Sequence, residues 1–185
     1  RNLMPAPDTQ KELDGLQKLD AQTIGAVYDQ YFSEIYRYVR YRLGDSTVAE
    51  DIASDVFVRL LEAVQNGQPP KTSLKGWLIG TASHMVTDHL RRKYRRPENE
   101  LHESMADAGE SVTSEVDQRE QNQAVNEAYA QLTPEQQNVL ALRFGQGYSL
   151  DETAAFMNKN VNAVKALQFR ALAALQREVG EVNYE

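Results

Sequence analysis

Asn162, Lys165, Ala166, Phe169 and Arg170 fall at i, i+3, i+4, i+7 and i+8 of the stretch "VNAVKALQFRALAALQREV" (161–179). On an α-helix that spacing is one face. Its chemistry suits DNA. A phenylalanine beside two cations can meet a thymine methyl, while Lys165 and Arg170 take guanine edges or phosphates. The bland alternative is that Phe169 packs under the preceding helix. Val161, Val164, Ala171, Leu172 and Leu175 form the expected inward side. Upstream, "SLDE" (149–152) has the form of a capping box that opens a short helix. Ala154 supplies a small side chain where two helices would cross, and Asn158 suits a left-handed turn. Together these predict a helix-turn-helix whose second helix enters a major groove.

A second constellation is "HLRRKYRRPENELHE" (89–103), which packs Arg91, Arg92, Lys93, Arg95 and Arg96 together before the charge changes sign. The chain's net charge is −7, yet residues 97–123 alone carry one Lys/Arg against eight Asp/Glu. The acidity is thus local, and a basic surface is hidden in an acidic total. A third group is Glu50, Asp51, Asp55 and Arg59 on the stretch 48–65. Asp51 and Asp55 share a face at i, i+4, where like charges mildly repel, so a partner's Arg or Lys would relieve them. Catalysis has no comparable signature: there is no Gly-rich phosphate loop and no nucleophile–base spacing. With no cysteine, disulfides and thiolate metal sites are excluded within the chain. His84 and His89 are five apart and fall on different helix faces, so neither a metal nor a cofactor is expected.

The elements that would position these groups are all helical. Patterns of period 3.6 recur and strand-like alternation is absent. Helices are expected over 24–44, 45–67 and 74–96, the last stopped by Pro97. Asp45, Ser46 and Thr47 are candidate caps of the second, with Thr47 and Glu50 as a capping box. Ile52, Val56, Phe57, Leu60, Leu61 and Val64 make its buried stripe. Ser73 caps the third, and Trp77 is expected in the core. "TPEQ" (133–136) starts a helix that runs to Gly145. No apolar run approaches the length of a membrane-spanning helix. The fold class expected is all-α: two small helical domains joined by an acidic flexible linker, the C-terminal one with a helix-turn-helix. The divisions are an unassigned extension, 1–24; a helical domain, 25–97; the linker, 98–123; the helix-turn-helix domain, 124–180; and a tail, 181–185.

Three motifs in order resemble the extracytoplasmic-function (ECF) group of bacterial sigma factors: "AEDIASDVF" (49–57), "WLIGTASHMVTDHLRR" (77–92) and "LTPEQQNVLALRFGQGYSLDETAAFMNKNVNAVKALQFRALAAL" (132–175). The resemblance implies a cytoplasmic, non-enzymatic protein that binds RNA polymerase core and promoter DNA. It implies that Glu50, Asp51, Ser54, Asp55 and Arg59 meet the polymerase clamp helices. Lys71, Lys75, Trp77, His84, Arg91, Arg92, Arg95 and Arg96 would serve the −10 element. Asn162, Lys165, Ala166, Phe169 and Arg170 would read the −35 element, and the linker would thread through the polymerase. His84 stands where the group usually has Asn, Ser54 where it has Gln, and Lys159 where it has an apolar turn residue. Many members are held inactive by an anti-sigma factor, and an acidic linker leaves room for one. The rival readings are a stand-alone helix-turn-helix regulator, which would bind DNA without polymerase, and a helical enzyme.

Overall fold

The computed structural model describes residues 7–71, 73–95 and 115–182, and among these every regular element is helical. The chain divides into two compact units, Arg1–Pro97 and Glu98–Glu185.

In the first unit α1 (Pro7–Gln17), α2 (Ala21–Leu43), α3 (Ser46–Gln65) and α4 (Leu74–Arg95) surround one core. Its centre is Ile35, Tyr38 and Val39 of α2, Ala53, Val56 and Leu60 of α3, and Leu78, Ile79 and Val86 of α4. α2 starts on Asp20, whose Oδ2 accepts from Thr23 N–H at 3.1 Å and from Thr23 Oγ1–H at 2.6 Å. Those bonds hold the Asp20 carboxyl below its ordinary 3.8. The cap is therefore complete above the unfolded-state pKa and is lost only as pH falls through the lower, folded one. Gly44, at φ 74°, ends α2 in the left-handed region. Asp45 alone caps α3: its Oδ1 accepts from Thr47 N–H at 2.9 Å and Val48 N–H at 3.2 Å. The expected Thr47–Glu50 box does not form, because the helix is capped two residues earlier, at Asp45. Ser73 Oγ caps α4 through Gly76 N–H at 3.0 Å.

Residues 1–24, unassigned from the sequence, hold a docked element. α1 buries Leu13 and Leu16 against α2 and α3, and Gln65 Nε2 donates to Gln17 O at 3.0 Å. Gly15 permits the approach: a Cβ there would collide with Thr23 Oγ1 and lie 2.7 Å from Thr23 Cβ. Thr23 cannot yield, since its hydroxyl is committed to Asp20. Gly15→Ala, which in an open helix stabilises by about 1 kcal/mol, is expected here to destabilise by roughly 1–3 kcal/mol. Urea unfolding would measure this, and faster proteolysis within α1 should accompany it.

The second unit holds α5 (Glu115–Ala130), α6 (Pro134–Leu140), a π-helical turn (Ala141–Gly145), α7 (Leu150–Met157) and α8 (Val161–Val182). Two elements differ from expectation. α5 begins inside the stretch assigned to the linker, so residues 115–123 are helical. The helix begun at Thr133 changes character after Leu140. Both capping boxes form: Thr133 with Gln136 and Ser149 with Glu152. Leu132, Val139, Leu140, Ala154, Val164, Leu167, Ala171 and Ala174 make the core. Leu172, expected inward, is 40 % exposed, and Leu167 and Ala174 take the buried positions instead. Thr153 is fully buried and its Oγ1 has no hydrogen-bond partner. An unsatisfied buried hydroxyl costs about 1–3 kcal/mol, and a same-shaped apolar replacement avoids it. Thr153→Val should raise stability by about 1 kcal/mol in urea titrations, and a lowered midpoint would show the hydroxyl to be satisfied.

Candidate nucleic-acid and polymerase interfaces

The helix-turn-helix is built from three local devices. Ser149 fixes where α7 starts. Asn158, at φ 54° and ψ 46°, ends α7 in the left-handed conformation expected of it. Asn160 then caps α8, its Oδ1 accepting from Ala163 N–H at 2.8 Å. Buried Ala154 lets the two helices cross. Lys159, unusual at the turn, forms an ion pair with Glu135 of α6 at 3.1 Å, so the departure has a local structural use. The result is an unobstructed face. Asn162, Lys165, Ala166, Phe169 and Arg170 are all exposed. Phe169 is 74 % exposed, so within its own unit it does not pack under the preceding helix.

In the first unit α2 and α4 run parallel. Lys75 Nζ meets Glu34 Oε1 at 3.3 Å and Arg42 Nη1 reaches Ser83 Oγ at 3.5 Å, the same offset at both ends. Arg42 is buried and also donates to Tyr38 Oη at 3.2 Å. α2 ends at Leu43 while α4 continues to Arg95, so about 16 Å of α4 projects past its neighbour. Arg91, Arg92, Lys93, Tyr94 and Arg95 are exposed there. Arg91 pairs with Asp88 at 3.7 Å, but both side chains are more than half exposed, and such a pair yields readily to a phosphate. Trp77, His84 and Arg91 sit seven residues apart and share one side of α4 with Arg95. Trp77 is half-buried rather than in the core. Lys75 lies on another side, tied to α2, and so stands apart from this stripe. Lys71 is exposed in the preceding loop, which buried Pro70 anchors. Arg96 lies outside the described residues, as do the linker residues 98–114.

On α3 the outward side carries Glu50, Asp51, Asp55 and Arg59, all exposed, with Ser54 half-buried. Sequence reasoning missed Val58, which lies beside Asp51, Ser54 and Asp55 on this side and is 52 % exposed. An apolar residue at an outward helical position was the signal. It gives the charged face an apolar centre, the arrangement that interface hot spots favour.

Residues 27–96 match the family model sigma-70 region 2, and residues 128–177 match sigma-70 region 4. The ECF RNA polymerase sigma factor BldN of Streptomyces coelicolor is 38 % identical over 161 residues, covering 85 % of this chain and 61 % of BldN. The ECF RNA polymerase sigma factor SigD of Mycobacterium tuberculosis is 32 % identical over 154 residues, covering 78 % of this chain and 71 % of SigD. The sigma factor RpoE of Bartonella quintana, solved in complex with the anti-sigma factor NepR, is similar in fold: TM-score 0.56 at 16 % identity, over 84 % of this chain and 96 % of that one. No described helix is long and apolar enough to cross a membrane. With both regions matched in order and SigD covered over most of its length, the chain belongs to the ECF group of sigma factors, which direct RNA polymerase to specific promoters.

Proposed function

We propose that the two units divide promoter recognition. The domain 25–97 reads and opens the −10 element with the Trp77–His84–Arg91 side of α4 and the projecting arginines, and docks on polymerase core with α3. The domain 124–180 reads the −35 element with α8. The intervening stretch, 98–123, passes through the polymerase, its acidity standing in for nucleic acid in a basic channel. The observation that carries this reading is the outward face of α8: five residues chosen for DNA chemistry, all exposed, on a helix whose other side is core.

Sigma factors are not catalytic enzymes, and this chain is assigned no bond chemistry of its own. It works in the cytoplasm, where its polymerase is. The solved complex of RpoE with an anti-sigma factor supports an inhibitory partner of that kind here. The stand-alone regulator is not favoured, since the N-terminal unit matches sigma-70 region 2.

The test is transcription by core polymerase with and without the full chain, on promoters bound by the reconstituted holoenzyme. Promoter-specific transcripts should depend on the chain. Tight promoter binding by the chain alone, with no effect on core polymerase, would restore the regulator.

A further inference from the structure

The DNA-facing side of α8 is held from one flank by a residue outside it. α6 ends in a π turn rather than an α-helical one. Gln146 N–H donates five residues back to Ala141 O at 2.9 Å, and Tyr148 N–H reaches Leu142 O at 3.0 Å. π turns are enriched at functional sites. The side chain this one aims is Arg143. Its Nε–H donates to Gln168 Oε1 of α8 at 2.8 Å, and its Nη1 donates to Tyr148 O. Both bonds are partly buried. Arginine has only donors, so the bond fixes which way the Gln168 amide turns. Tyr148 is buried and its ring meets Phe156 of α7 edge-on, with centroids 4.9 Å apart. One guanidinium thus joins the π turn, the loop entering α7, and the middle of α8.

We propose that Arg143 is a positioning residue for −35 readout: through Gln168 it sets the rotation of α8 about its own axis, and through Tyr148 O it fixes the loop from which α7 departs. The inference rests on the reading of α8 as the −35 element. Gln168 immediately precedes Phe169 and lies two residues before Arg170, so a change in its anchorage moves both side chains relative to the groove. The planar guanidinium fork specifies an angle as well as a distance. Beneath α8 the core side of the helix is held by Val164, Leu167, Ala171 and Ala174, and the guanidinium fixes the angle on the flank at Gln168.

The experiment is promoter binding by holoenzyme reconstituted with the full chain, on two promoters that differ only in the −35 sequence, across a salt series. Arg143→Gln and Gln168→Ala should each reduce the preference for the matched promoter by about fivefold or more. The double variant should lose no more than the worse single one, since both remove the same bond. Gln168→Glu offers Arg143 a charged acceptor and should retain the preference. The salt dependence should not change. A slope reduced by roughly 0.7–0.9 in Arg143→Gln would mean a direct phosphate contact and overturn the positioning role. Gln168→Ala and Arg143→Gln both retaining the preference, while Arg170→Ala loses it, would overturn the proposal and leave the −35 reading standing. If Arg170→Ala and Phe169→Ala both retain it as well, the −35 reading itself falls.

Discussion

Asp55→Arg is expected to weaken binding to polymerase core by about thirtyfold or more while leaving the stability of the free protein nearly unchanged. The two quantities separate for a physical reason. Asp51 and Asp55 are both exposed on α3, one turn apart. In the free protein they repel, but Asp55 also lies one turn before Arg59, so Asp55→Arg relieves one like-charge pair and creates another, and the two changes of about a few tenths of a kcal/mol offset. Where α3 docks on polymerase core as proposed, the same carboxylates meet cations. Losing one partner of a desolvated charge pair costs about 2–5 kcal/mol, and each 1.4 kcal/mol is tenfold in affinity. Reversal adds repulsion to that loss. A general folding defect would lower both quantities, so a lowered core affinity with an unchanged or raised melting temperature isolates the interface. Fluorescence anisotropy with labelled chain measures the first and circular dichroism the second. Unchanged core affinity would remove α3 from the polymerase contact altogether. Val58→Ala sharpens the result: an apolar centre ringed by charges should matter to binding and not to folding, since Val58 is 52 % exposed.

Most of the fold was legible because its signals are local. Ser149 with Glu152, and Thr133 with Pro134 and Gln136, are short-range patterns whose chemistry is complete within four residues, and each forms as read. The misreadings are where a partner element decides. Leu172 reads as inward together with its neighbour Ala171. The buried seam of α8 follows Val164, Leu167, Ala171 and Ala174 because α5 packs there with its own small residues, Ala124 and Ala128. Small residues on both helices let axes approach closely, and nothing in α8 by itself marks Ala174 as deeper than Leu172. The start of α5 was missed for a related reason. Acidity alone reads as extended, self-repelling chain, yet residues 115–123 are helical. α1 offered only Leu13 and Leu16 as a pattern, too short to read without the α2–α3 surface that receives it. In the candidate sites, exposure on α8 and α3 followed from helical spacing. The side occupied by Lys75 did not, because it depends on Glu34 of another helix.

Arg170→Ala and Phe169→Ala separate two kinds of contact on the same face, and neither should perturb folding. Both side chains are exposed, and Phe169 is 74 % so. Substitutions at such positions usually change stability by no more than about 0.5 kcal/mol. A buried phenylalanine would instead cost about 3–5 kcal/mol on truncation, so the melting temperature of Phe169→Ala alone decides whether this ring is surface or core. Their effects on promoters differ in kind. If Arg170 reads a guanine edge, its loss costs about 1–3 kcal/mol at matched −35 sequences and relaxes specificity at one position. If it holds a phosphate, binding weakens on all sequences alike and the salt dependence falls by roughly one unit of log–log slope. Phe169 carries no charge, so its removal must leave the salt dependence unchanged whichever base it meets. Its signature is loss of preference for a thymine against the same promoter with that base replaced, since the ring can recognise only the methyl. The pair of slopes distinguishes a reading face from a merely basic one. A face that only attracted phosphate would respond to Arg170→Ala in salt and ignore Phe169→Ala entirely.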